Sequence, residues 1–278
     1  MKVAVTGASG FIGRHVVAEL VRQDADVVAV ARRTDVTWDG RVLPVTLDIL
    51  EAPADVFDRL GRPDILIHLA WGGLPNYRSL HHFETELPAH YRFLKGMVEA
   101  GLTTLLVADT CFEYGMQSGC LGEDQPPRPD NPYGYAKDCL RQQLQFLQQT
   151  HPFALVWPRL FYLYGEGQAS NSLYPQLRSA ALRGEPVFNM SGGEQLRDYL
   201  PVGNVARYIV TLAMQRQEIG VVNLCSGQPI SVRKLVEHWI ADYGWNISLN
   251  LGHYPYPDYE PLAFWGNDRK LSNLLGRV

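Results

Sequence analysis

The chain opens with a short apolar run, Lys2-Val3-Ala4-Val5-Thr6, which breaks at once into Gly7-Ala8-Ser9-Gly10-Phe11-Ile12-Gly13. After the three spaced glycines, Ile12, Val16, Val17, Leu20 and Val21 recur on one helical face, so the segment reads as strand, turn and helix. The first glycine permits the tight turn, the second lets a phosphate approach the backbone, and the third lets helix pack on strand. Free N–H groups and the positive dipole end of that helix suit a pyrophosphate. A glycine turn alone would be weak evidence. In this context it predicts a dinucleotide site built from Gly7, Ser9, Gly10, Phe11, Ile12 and Gly13.

The pattern continues down the chain. Residues 27–31, 43–47, 64–69, 103–108 and 153–157 are short apolar, β-branched runs. A helix is predicted over 80–100, stopped by Gly101, and another from Asn131-Pro132, with Asn131 as cap and Pro132 in the first turn. Apolar strands alternating with helices predict an α/β fold: a doubly wound parallel sheet of Rossmann type, covered on both faces. Beyond Arg159, Gly, Pro, Asn and aromatic residues become frequent and the helices shorten. Residues 1–158 are therefore expected to be mainly the dinucleotide-binding domain. Residues 159–278 are expected to form mainly a smaller C-terminal substrate-binding lobe, with 203–227 returning to the sheet and a late helix over 232–243.

Composition removes several function classes. The 278 residues are 46% hydrophobic, enough for one large domain or two integrated lobes. The net charge is −4 with Lys and Arg scattered, which argues against nucleic acid as a partner. No apolar stretch approaches the ~20 residues of a membrane span, and the first residues leave no room for a signal peptide. Four cysteines lack Cys-x-x-Cys spacing, and the adjacent His81 and His82 have no partner at metal spacing, so no metal site is expected. A soluble, cytoplasmic protein is the expectation.

The cofactor follows from the second strand. It ends Val30-Ala31-Arg32-Arg33, with no acid until Asp35. A carboxylate there would bind a ribose 2′-hydroxyl, whereas a guanidinium accommodates a 2′-phosphate. NADP(H) is favoured over NAD(H), unless Arg32 and Arg33 are a solvated loop pair. Asp48, next to Ile49, either meets the adenine or caps a turn. Leu69-Ala70-Trp71, at the end of the fourth strand, is expected on the cofactor, with Gly73 in the loop where a sugar would approach.

Tyr133 and Lys137 lie four apart, one helical turn from each other on one face. A free phenol has a pKa near ~10; a neighbouring ammonium and a helix N-terminus both stabilise phenolate and lower it. The pair suits acid/base work on a carbonyl–alcohol couple.

With these residues in place, the chain resembles the extended short-chain dehydrogenase/reductases that act on nucleotide sugars. The likeness covers 6–13, 68–70, Thr110 to Tyr114-Gly115, 133–137, Arg159 to Tyr164-Gly165, Arg197-Asp198-Tyr199 and 223–227. The resemblance implies that Thr110 holds the reacting sugar oxygen, Tyr133 exchanges the proton and Lys137 holds the nicotinamide ribose. Arg197 would grip the substrate diphosphate, Tyr162 stands where the family has a sugar-contacting Asn, and Asn171 and Phe188 would approach the base. A homodimer built on the helices near 80–100 and 131–150 is implied as well.

Departures from the family pattern narrow the reaction. Cys111 and Phe112 replace the Asp-Glu pair of the 4,6-dehydratases, and Glu113, one place further on, would face the other way on an extended segment. Cys111 is also one place short of the cysteine found in some epimerase-reductases and reads as a small buried hydrophobe. His68 reads as packed or backbone-bonded. The aromatic residues of 254–265 either close over substrate or pack the lobe. The expectation is NADPH-dependent reduction of a nucleotide-linked 4-keto-6-deoxyhexose, dTDP-linked as first choice, feeding O-antigen or related glycan pathways. The alternatives are an NAD-dependent nucleotide-sugar 4-epimerase and a non-catalytic dinucleotide sensor, the latter disfavoured by the complete Thr110, Tyr133, Lys137 set.

Overall fold

The computed structural model describes residues 1–33, 36–256, 258 and 260–276; Asp35, and Pro257 and Tyr259 of the aromatic tail, lie outside the described residues. Eight strands make one parallel sheet: β1 (Lys2–Thr6), β2 (Asp26–Ala31), β3 (Val42–Thr46), β4 (Ile65–His68), β5 (Thr104–Val107), β6 (Asp109–Thr110), β7 (Ala154–Leu160) and β8 (Gly220–Leu224). Their order is β8-β7-β5-β4-β1-β2-β3, with β6 paired beside the end of β7. The order reverses between β1 and β4. The loops leaving these two strands therefore diverge and open a crevice at their carboxyl ends.

Among the described residues six helices of ten or more residues complete the frame: α1 (Phe11–Arg22), α2 (Leu87–Glu99), α3 (Pro132–Gln148), α4 (Leu173–Leu182), α5 (Val202–Met214) and α6 (Val232–Tyr243). Alternation along β1 sends Val3 and Val5 to one face and Ala4 to the other. On the first face they meet Val16, Val17 and Leu20 of α1 and Val205 and Ile209 of α5. On the second, Leu94 and Met97 of α2 and Leu140 and Leu144 of α3 pack with Ala4, Leu66 and Trp157. A separate small core joins Leu177, Phe188, Val236 and Trp239. Among the described residues no helix is long and apolar enough to cross a membrane, and no group of three or more His, Cys, Asp or Glu side chains is placed to hold a metal.

Two elements depart from the sequence expectation. The helix predicted over 80–100 is a wide π-turn, His82–Glu86, running into α2. Pro88 lacks the N–H that would continue the regular ladder, and the wider turn takes up the mismatch. The sixth strand runs past Trp157 and through Pro158 to Leu160. That extension sets Arg159 in register with Asp109 of β6 and Asn223 of β8.

Candidate active site

The glycine turn is shaped by what lies against it. Gly7 has φ +68°, and a Cβ there would come within 2.8 Å of the Ala70 nitrogen. A Cβ on Gly13 would collide with the Gly7 carbonyl oxygen. The loop thus lies flat between β4 and α1, and only glycine fits either place. Beside it opens a cleft of about 700 Å³ lined by Gly7, Ser9, Gly10, Arg32, Arg33, Asp48, Ile49, Leu69, Ala70 and Trp71. Gly10 caps α1 without a side-chain bond, so the positive helix end is open to the cleft. These features fit a dinucleotide. Three of the expected residues sit elsewhere in the unit: Phe11 faces a second cavity, Ile12 packs against the core, and Gly13 is buried beneath the turn. Asp48 accepts a bond from the Leu50 nitrogen at 3.0 Å, which is the capping role, and still lines the cleft.

The second cavity, about 480 Å³, brings together Thr110, Tyr133 and Tyr162, with Phe112, Tyr77, Tyr199, Trp239 and Glu260 in its walls. Asn131 Oδ1 accepts from the Gly134 nitrogen at 2.9 Å and starts α3, which fixes Tyr133 in the first turn. Thr110 Oγ1 accepts from the Phe112 nitrogen at 3.2 Å. Lys137 is buried and lines neither cavity: its Nζ donates to the Ala108 carbonyl at 2.6 Å and stands 4.4 Å from the centre of the Trp71 ring.

The expected lowering of the Tyr133 phenol is not found. Burial pushes it well above its ordinary value. Burial also lowers the Lys137 ammonium, opposed by Asp109, Glu113 and Glu86. Desolvation prevails, and Tyr133 is held as a neutral phenol.

Glu113 does not lie on an extended segment. Cys111–Tyr114 is a 3₁₀ turn, and it directs Glu113 onto Arg159 Nε at 2.6 Å and Trp157 Nε1 at 3.2 Å. Cys111 is buried among Tyr114, Phe161 and Phe264, as a small hydrophobe would be, and burial pushes its thiol up.

Four substrate expectations meet a different arrangement. Arg197 is 2% exposed and its Nη2 donates to Glu260 Oε2 at 2.9 Å, with Nη1 on the Leu196 and Leu262 carbonyls. Its charge is already matched, and Glu260 is the one of the two that reaches the cavity wall. Phe188 is turned into the small core by the pairing of residues 187–189 with 248–250. Asn171 is exposed and lines neither cavity. Gly73, at φ +79°, backs onto the His82 ring instead of lining either cavity.

Glu86 and His90, which the sequence reading did not single out, line the cleft with Arg14 and Gly72. They end a buried chain: Thr6 Oγ1 to His68 Nδ1 at 2.8 Å, His68 Nε2 to His90 Nδ1 at 2.7 Å, His90 Nε2 to Glu86 Oε2 at 2.9 Å. A carboxylate only accepts, so His90 Nε2–H donates to it. His68 Nε2–H then donates to His90, and the Thr6 hydroxyl to His68. Burial lowers both imidazoles, which keeps them neutral. Burial raises the Glu86 carboxyl, but bonds from His90 and the Gly72 nitrogen outweigh it and bring it to about 2. The stability this depression confers is present above the unfolded carboxyl range and lost as pH falls toward 2. His68 is thus packed, as expected, and bonded through side chains, not backbone.

An open helix N-terminus over a glycine turn at a topological switch point, together with an aromatic cavity that holds a threonine and a buried tyrosine, defines a dinucleotide-dependent α/β protein. The chain belongs to the NAD dependent epimerase/dehydratase family, whose sequence model matches residues 3–225. It is similar to the dTDP-6-deoxy-L-talose 4-dehydrogenase (NAD(+)) of Aggregatibacter actinomycetemcomitans, 32% identical over 276 residues that cover 96% of this chain and 99% of that one. It is also similar to the dTDP-6-deoxy-L-talose 4-dehydrogenase (NAD(P)(+)) of Kitasatospora kifunensis, 26% identical over 268 residues, 92% of this chain and 83% of that one. Among solved structures it resembles MoeE5 in complex with UDP-glucuronic acid and NAD, with a TM-score of 0.85, 29% identity, and coverage of 99% of this chain and 93% of that one.

Proposed function

We propose that this protein is an NADPH-dependent reductase of a nucleotide-linked 4-keto-6-deoxyhexose, with dTDP as the first choice of carrier. The observation that carries this reading is the pairing of Tyr133 and Thr110 in one aromatic cavity. A phenol there can give its proton to the alkoxide that reduction of a ketone forms. The cofactor, bound in the cleft, supplies the hydride. Thr110 orients the carbonyl, Tyr133 protonates the new alkoxide, and the Lys137 ammonium lies one helical turn behind. Residues 1–158 mainly hold the dinucleotide and 159–278 mainly the sugar nucleotide, with 203–227 returning to the sheet through α5 and β8. The two talose dehydrogenases, named for redox at carbon 4 of a dTDP-linked 6-deoxy sugar, support the same carbon and carrier. Exposed Tyr135 and Phe146 on α3 support a homodimer through α2 and α3.

Purified protein mixed with NADPH and dTDP-4-keto-6-deoxyglucose should consume NADPH. No turnover with any 4-keto nucleotide sugar removes the reading. The alternative, an NAD-dependent nucleotide-sugar 4-epimerase, draws support from the NAD held by MoeE5. It wins if the protein purifies with bound NAD and interconverts UDP-hexoses.

The choice of NADPH rests on Arg32 and Arg33, both exposed at the edge of the cleft. Replacing both by Ala should weaken NADPH binding by roughly tenfold or more and leave NADH binding nearly unchanged, by loss of charge-assisted bonds to a 2′-phosphate. Equal affinities before and after, measured by titration, would remove the argument for the phosphorylated cofactor.

A further inference from the structure

Behind Tyr133, four ionisable side chains meet in a space closed to solvent. Asp109 and Arg159 face each other in the β6–β7 register, Glu113 comes from the following turn, and Lys137 from α3. The Asp109 and Glu113 side chains are 0% exposed and Arg159 2%. Arg159 Nε is bound to Glu113 at 2.6 Å and stands 3.9 Å from Asp109, beyond hydrogen-bond reach. Neither Asp109 oxygen has a hydrogen-bond partner, although Arg159 Nη1 also lacks one.

A desolvated carboxylate with no donor on either oxygen is among the costliest groups a protein can bury. Glu113 is its neighbour, and two carboxylates have no proton to bond with. A single proton turns the same contact into a donor and an acceptor.

We propose that Asp109 carries a proton and donates it in a hydrogen bond to Glu113, so that the positive charge of Lys137 stands uncancelled beside Tyr133. The charge count makes the point. Arg159 and Glu113 offset each other, so an ionised Asp109 would neutralise Lys137, whereas a neutral one leaves it whole. A buried tyrosine that has given up its proton needs that cation. Asp109 is a positioning residue that acts through Lys137 and Tyr133, and this rests on the acid/base role proposed for Tyr133.

The surroundings agree. Burial pushes the Asp109 carboxyl well above the usual range, Glu113 adds to it, and Lys137 and Arg159 oppose it without prevailing. From the turn after β6, burial also keeps Cys111 and Tyr114 neutral. From β4 and α2, His68 and His90 are neutral, and Glu86 is already bonded to His81, His90 and the Gly72 nitrogen.

Infrared spectroscopy of the whole enzyme tests this directly. The wild-type protein at neutral pH should show the carbonyl stretch of a neutral, buried carboxylic acid, and Asp109→Asn should remove it. Because the amide cannot ionise, Asp109→Asn should also lose the alkaline limb of the pH–rate profile that Asp109 ionisation contributes. Asp109→Ser supplies the same comparison if the amide does not fold. A wild-type spectrum without the band, or a band that both variants retain, overturns the proposal. The infrared result does not depend on turnover, so its failure is distinct from a failure of the Tyr133 assignment.

Discussion

Tyr133→Phe is expected to lower kcat by about 10²–10⁴-fold, the usual worth of a positioned acid/base, while dinucleotide affinity and melting temperature stay near wild type. The substitution removes one hydroxyl and little else. The ring of Tyr133 packs edge-on against Trp71 at 6.1 Å and tilted against Tyr77 at 5.6 Å, and phenylalanine keeps both contacts. The dinucleotide cleft is lined by other residues. Steady-state kinetics and a binding titration on the same preparation check the two halves. Undiminished kcat would end the assignment of Tyr133, and a large loss of affinity would mean that the effect is not confined to proton transfer.

Arg159→Met should destabilise the fold by roughly 3–5 kcal/mol, the range for breaking a buried ion pair from one side. Methionine fills much of the volume and keeps contact with the Tyr114 ring, over which the guanidinium now stands at 4.5 Å. Glu113 would lose its guanidinium partner, keep the Trp157 indole and the proton proposed on Asp109 as donors, and remain in the interior. The deficit is read by denaturant unfolding. A loss within ordinary surface limits would show that Glu113 does not need its partner.

Much of the frame was legible because it depends on neighbours in the chain. The glycine turn, the Asn131 cap and the four-residue spacing of Tyr133 and Lys137 are local patterns, and the six main strands form where their apolar runs predict them. Errors came where a local rule met a distant contact. Pro88 converted a predicted helix start into a π-turn, and that turn brings Glu86 and His90 to the cleft. Lys137 and Tyr133 were read as a mutually stabilising pair, but burial, which sequence spacing does not report, reverses the direction of the Tyr133 shift.

From the sequence alone came the fold class, the dinucleotide turn, and the one-turn helical spacing of Tyr133 and Lys137. Each rests on backbone geometry within a few residues or on strand and helix periodicity. Only the tertiary structure decided which charges face each other. Arg159 meets Glu113 across 46 residues, Arg197 meets Glu260 across 63, and Thr6 meets His68 across 62. Strand register and loop closure create those meetings, and the low dielectric of the interior then determines which groups keep their protons.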